Sequence, residues 1–330
     1  MSETTPGRRT GLADLHANSQ ATENLISDAL LGHLLITTVP DTTDGVMPYS
    51  YSDLEDALSL TSLPTSIMPN RPRPVDAFRR ATQMIEGQTT ISETGNRVNF
   101  LRREVSKDGG EVLYGLVAEE VDSKGETLHY ETVANLHFFP AVVTPGGERL
   151  LMNVFSGISD AAVERKARAI IAELESAYLL RKSTLDAAKV RGMVRDALRG
   201  MHALPIKDSV QFIPIVNEKS VKELAGVLRA IGASAFTIPI GDASDQMAMI
   251  TQALDQRNTQ QIDELLGDIG SGKVTTLRSY TALLTRFGEI SKRSDLYQKS
   301  YNIRSAADAG RLAAAQQMLL ELSKQVSGTR

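Results

Sequence analysis

The sequence predicts an α+β protein: an antiparallel β-meander plus long helices with an inserted βαβ unit. Three observations predict it. First, four runs between residues 97 and 155 carry β-branched or aromatic residues and are separated by KDGG (107–110), SKG (123–125) and PGGE (145–148). Glycine reaches positive φ without steric cost, so these are tight turns and the runs make a meander. Second, Ser159–Leu204 and everything after Pro239 hold apolar residues at helical spacing with no proline. Proline removes a donor and clashes inside a helix, so its absence permits long ones. Third, QFIPIV (211–216) and AFTIPI (235–240) flank a helical run, the pattern of a parallel strand–helix–strand unit.

Composition bounds the rest. At 330 residues, 42% hydrophobic and 23% charged, the chain has the balance of a globular protein of two domains, or of one with an insertion. A net charge of −4 excludes a global basic field for gripping nucleic acid, though not a local basic face. With no cysteine, disulfides, thiolate metal sites and cysteine nucleophiles are excluded. No run approaches the roughly 20 apolar residues of a bilayer span, and the first residues lack the apolar core of a signal peptide. The expectation is a cytoplasmic protein that does not engage a membrane.

Residues 1–20 read as a polar flexible tail. Residues 21–96 read as a helical N-terminal region. Within it, Thr22–Thr37 places Leu25, Ile26, Leu30, Leu31, Leu34 and Leu35 at helical spacing. Ser52 with Glu55 forms a capping box for a short second helix. A Pro-rich connector, 63–74, contains Pro64, Pro69, Pro72 and Pro74, with Arg71 and Arg73 solvated, and Val75–Ile85 forms one more short helix. The meander occupies 97–157, with strands over Arg97–Ser106, Glu111–Asp122, Glu126–Phe139 and Glu148–Phe155.

Residues 158–204 read as one long helix capped by Ser159 or Asp160. Its apolar positions run Val163, Ala167, Ile170, Leu174, Ala177, then Val190, Val194, Ala197, Met201 and Leu204, with Arg181 interrupting the seam. Forty-odd residues at 1.5 Å each span roughly 60 Å, more than a compact domain needs, and Pro205 ends the run. The βαβ module follows over 205–242. Ser220 and Glu223 form its capping box, Val221, Leu224, Val227, Leu228 and Ile231 its apolar face, and Gly232 its left-handed stop. A C-terminal helical region, 243–330, starts with a helix over Asp245–Ile269. After a Gly-rich break it continues from Val274 to about Lys324 as one kinked helix or two.

Few residues point to chemistry. GDIGSGK (267–273) places Gly267, four residues, Gly272 and Lys273 in the spacing of a phosphate-binding loop. Yet Val274 stands where Ser or Thr would ligate magnesium, and the preceding segment is helical where the loop needs a strand; an ordinary interhelix turn is the plainer explanation. Arg191, Arg195 and Arg199 recur every four residues, with Lys189 and His202 beside them and Arg165, Arg168 and Lys182 on the same stretch. Such a row can track a phosphate backbone. Against that, Glu164, Glu173, Glu175, Asp186 and Asp196 interleave, no cluster of aromatics offers base stacking, and a solvated or acid-paired face is the plainer explanation. His129 and His137 share a strand but stand about 26 Å apart at 3.3 Å per residue, too far to share a metal. Glu119, Glu120 and Asp122 form an acidic patch at a strand end, more simply a solvated turn than a metal site. No metal and no cofactor is expected.

Over RPRPVDAFRRAT (71–82), the turn-linked strands 97–139 and VQFIPIV…AFTIPIGD (210–242), the chain resembles an uncharacterised protein family of bacteriophage and prokaryotic genomes. That resemblance implies no activity and no catalytic residue, only a phage-encoded cytoplasmic protein. The leading functional expectation is a non-catalytic assembly or interaction protein that self-associates through its long helices, in coiled-coil fashion, as a homo-oligomer or with a protein partner. Long apolar stripes need covering. The first alternative is a nucleic-acid-binding protein using the basic face of 158–204. The second is a nucleotide-binding enzyme at the 267–273 turn.

Overall fold

The computed structural model describes residues 30–41, 49–141, 147–271, 274–303 and 308–328. It is of the expected α+β class. Two compact units divide the chain: a meander unit of residues 39–60 and 68–193, and a split-sheet unit of residues 30–38, 61–67 and 194–328.

In the meander unit, five strands follow one another antiparallel: β3 (Thr89–Ile91), β4 (Arg97–Asp108), β5 (Glu111–Val121), β6 (Thr127–Phe139) and β7 (Arg149–Val154). The β4–β5 turn puts Gly109 and Gly110 both at positive φ, which side chains with a Cβ adopt at a cost. One face of the sheet is apolar at alternate positions: Val98, Phe100, Val112, Tyr114, Leu116, Leu136 and Phe138 are buried there. Against it pack α2 (Pro74–Thr82), through Ala77, Phe78 and Ala81, and α3 (Ala161–Ser183), through Val163, Ala167, Ile170, Leu174 and Tyr178. Phe78 stacks on Tyr114 and Phe138 with ring centroids 5.8 and 5.7 Å apart. Asp160 is the N-cap of α3, accepting from the Ala162 and Val163 N–H groups. A short helix, α1 (Tyr51–Ser59), is capped by Ser50, which accepts from the Asp53 N–H, rather than by Ser52; Glu55 instead pairs with Arg71 at 3.5 Å.

The single helix expected over 158–204 is two helices. After α3, Thr184–Leu185 form a two-residue strand, β8, paired with β2 (Tyr49–Ser50); α4 (Ala187–Gly200) starts only then. The break has a local cause. Thr184 is β-branched and extended, at φ −123° and ψ 156°, and Asp186 accepts from the Lys189 N–H at 2.8 Å as a helix cap. Beyond α4, His202 takes a left-handed φ of 54°.

In the split-sheet unit the strand order is β11–β1–β10–β9, all neighbours antiparallel. The strands are β1 (Leu30–Thr38), β9 (Leu204–Lys207), β10 (Val210–Pro214) and β11 (Ser234–Gly241). The helix expected over residues 22–37 is therefore overturned where it is described. One face of LLGHLLITT is buried at Leu31, His33 and Leu35 and the other is buried or half-buried at Gly32, Leu34 and Ile36, and a strand covered on both faces reads as a continuous apolar run rather than an alternating one. Gly32 shows how tightly it is held: a Cβ there would sit 2.1 Å from the Ile213 carbonyl oxygen. The expected βαβ module exists in altered form. β10 and β11 run parallel, but β1 lies between them. Their connecting helix, α5 (Glu218–Ala230), buries Val221, Leu224, Ala225, Val227 and Leu228 and packs on β11 and β1. No side chain caps α5; Glu223, expected in a capping box, accepts from Ser62 N–H and Oγ at 3.0 and 2.8 Å.

The C-terminal region resolves into three helices: α6 (Ser244–Gly270), α7 (Leu277–Tyr301) and α8 (Asp308–Gly328). Ile250, Leu254 and Tyr297 from α6 and α7 close over Phe212 and Leu204 of the sheet. Ile262, Leu265, Leu283, Ile290, Ala315 and Leu319 form a second core among the three helices.

Candidate functional site

The phosphate-loop candidate at residues 267–273 is described only in part. Gly267 is within α6 and its carbonyl accepts from Ser271 N–H at 3.0 Å, closing the helix; Gly272 and Lys273 lie outside the described residues. The element before the turn is a helix, so no strand delivers converging N–H groups.

The basic row fares unevenly. Arg191 donates to the Val39 carbonyl at 3.1 Å and pairs with Asp41 at 2.7 Å. Arg199 meets Asp196 at 3.3 Å and Glu289 at 3.8 Å. Arg195 is exposed. His202 is half-buried; burial, and then Arg293 and Lys292, hold its pKa below 6.5, so at neutral pH it adds no charge. The acidic patch is structural: Glu120 accepts from Ser92, Thr94 and Asn96 at 2.7–2.9 Å, bonds that hold its carboxyl below the ordinary range. Asp122 accepts from Lys124 and Glu126 N–H groups within its own turn. His129 and His137 pair with Glu131 at 2.9 Å and Glu111 at 2.5 Å. Among the described residues no group of three His, Asp or Glu side chains gathers at a metal position.

Lys189 is different. It lines a small open cleft of the meander unit, together with Pro72, Arg73, Asp76, Ala77, Arg80, Arg181 and Thr184. The two N-terminal turns of α2 form one wall; the last turn of α3, β8 and the first turn of α4 form the other. Four cations (Arg73, Arg80, Arg181, Lys189) thus face one carboxylate (Asp76). Asp76 is already engaged by Arg73 at 2.7 Å and Arg79 at 4.0 Å, and Arg80 reaches Asp186 at 3.7 Å. Arg181 and Lys189 are half-buried, and among the described residues no carboxylate pairs with either.

Unpaired cations in a concavity raise the local potential well above that of an open surface, since low-dielectric walls focus the field. The cleft is therefore suited to an anion with several oxygen acceptors, for which arginine forks and a lysine ammonium are the matching donors. The break at residues 184–186 creates it: a continuous helix would carry Arg181 and Lys189 onward along one rod, away from Arg73 and Arg80. The sequence signals for the break were present in Thr184 and Asp186. The partners Arg73 and Arg80 had none, being about a hundred residues away and placed in or just after a Pro-rich connector.

The chain belongs to a family of unknown function (DUF6744), which matches residues 30–328. No curated protein and no solved structure matches it. Among the described residues no helix is long and apolar enough to cross a membrane.

Proposed function

We propose that this chain is a binding protein for a phosphate-bearing ligand, held in the α2–α3–α4 cleft. The observation that carries the proposal is the half-buried pair Arg181 and Lys189, which share a concavity with Arg73 and Arg80 and, among the described residues, pair with no carboxylate. The ligand is met in the cytoplasm of a prokaryotic cell, on a phage-encoded protein; the resemblance seen over 71–82, 97–139 and 210–242 supports that setting, and a chain without cysteine accommodates it. Titration calorimetry with tripolyphosphate at low salt tests the reading. Wild type binds, affinity falls steeply between 50 and 200 mM salt as phosphate contacts release counterions, and Arg181→Ala with Lys189→Ala abolishes the heat. Absence of heat from wild type, or an unchanged isotherm for the double variant, overturns it.

Self-association is a second reading, favoured by β11. This strand closes one edge of its sheet and exposes Phe236 by 62% and Ile238 by 45%, an apolar surface that covering would stabilise. Mass photometry across micromolar concentrations decides it: a strict monomer removes this reading, and a dimer lost on Phe236→Ser supports it.

A further inference from the structure

A second feature borders the cleft and narrows the ligand class. Thr184, a lining residue, pairs across β8–β2 with Ser50, and the next residue, Tyr51, starts α1. On the other side Pro72 and Arg73 line the cleft, and the preceding residue, Arg71, returns to place its guanidinium carbon 4.8 Å from the centroid of the Tyr51 ring. Glu55 steadies that guanidinium at 3.5 Å. Both Arg71 and Glu55 are exposed, with 69% and 56% of their side chains accessible, so the pair is weakly held and open to solvent. The arrangement is a planar cation on an aromatic face, one residue along the chain from Pro72 of the cleft lining.

Bases stack on aromatic rings and on guanidinium planes alike, and both kinds of stacking tolerate any base. A paired duplex keeps its bases inside the stack and offers the platform nothing. An unpaired strand can lay a base on Arg71–Tyr51 while an adjacent phosphate enters the cleft. We propose that the phosphate-bearing ligand is single-stranded nucleic acid, with Arg71 and Tyr51 stacking a base next to the phosphate held by Arg73, Arg80, Arg181 and Lys189. This deepens the reading above and rests on it.

Fluorescence anisotropy separates the two claims. The probes are a fluorescein-labelled oligothymidylate of twelve residues and the corresponding duplex, with long-chain polyphosphate as a ligand that has phosphates and no bases. Wild type is expected to bind the single strand more tightly than the duplex. Tyr51→Ala and Tyr51→Leu should each weaken the single strand roughly tenfold, the loss expected of one stacked base, and leave polyphosphate unchanged; Tyr51→Phe should bind as wild type does. Unchanged polyphosphate binding also shows that the variants fold. If Tyr51→Leu binds the single strand as wild type does, or if duplex and single strand bind equally, the stacking platform is overturned while the phosphate cleft stands. If wild type binds neither the oligonucleotide nor polyphosphate, both claims fall.

Discussion

In the meander unit each strand from β3 to β7 lies beside its neighbour in the chain, and β3 to β6 are joined by two to five residues each. In the split-sheet unit Gly32 pairs with Pro214 on one side and Ile240 on the other, so β1 sits between strands that follow it by most of the chain. The meander gains pairing as soon as each turn closes. The split sheet must first close a very long loop, and the entropy of closure is lost before any contact compensates it. The meander is thus locally encoded, and the split sheet stands or falls on the insertion of one strand.

The most severe way to break that contrast is Gly32→Ala. The added Cβ meets backbone, which cannot swing aside, so the expected cost is about 4 kcal/mol, in the range reserved for core disruption. Hydrogen exchange followed by mass spectrometry should show lost protection over β1, β10 and β11 and retained protection over β4–β6. Equal loss in both units would show that they unfold as one. Phe78→Ala is the counterpart in the meander unit, removing the ring between Tyr114 and Phe138. The expected cost is about 3–5 kcal/mol, measured by chemical denaturation, with protection lost first over β4–β6.

Acid sharpens the contrast. His33 is buried on β1; its Nε2 lies 3.4 Å from Glu218 Oε1 without hydrogen-bond geometry, and Lys222 stands behind Glu218. Burial outweighs the nearby carboxylate and holds the His33 pKa below 6.5, and His202 of the same unit is shifted the same way. The unfolded chain therefore takes up these protons first. Their contribution is fully present above pH 6.5 and is lost as pH falls through the lowered folded values. Denaturation midpoints from pH 7.5 to 5 should fall, with protection in the split-sheet unit failing before that in the meander; His33→Gln should flatten the dependence. A smaller effect is expected of Asp160→Ala. The carboxylate caps α3 and also accepts from the Glu93 N–H at 2.6 Å, so about 1–2 kcal/mol should be lost, read as a shift in midpoint without a change in slope.

The same contrast explains what sequence reading reached. KDGG and SKG state the meander's turns outright, and alternation in β4 and β5 states its buried face. β10, α5 and β11 were legible as strand, helix and strand. β1 was not, because Leu30, Leu31, Leu34 and Leu35 satisfy a helical stripe as well as a doubly buried strand. Its β-branched end, Ile36–Thr38, was the one local hint. The break between α3 and α4 was lost for a similar reason: apolar residues continue in helical step on both sides of it, and only Thr184 and the capping Asp186 mark the gap. The candidate site suffered most. Lys189 was singled out, but with Arg191, Arg195 and Arg199, its neighbours along one helix, rather than with Arg73, Arg80 and Arg181.

The sequence by itself determined the α+β class, the meander and its turns, and the proline-free helices of the C-terminal half, since each is written in spacings of a few residues. Tertiary structure alone decided that residues 30–38 insert between two distant strands and that cations from 73, 80, 181 and 189 share one cleft. The physical reason is range. Turn geometry and amphipathic period act between near neighbours, whereas burial on both faces and the gathering of like charges depend on which remote segments the core brings together.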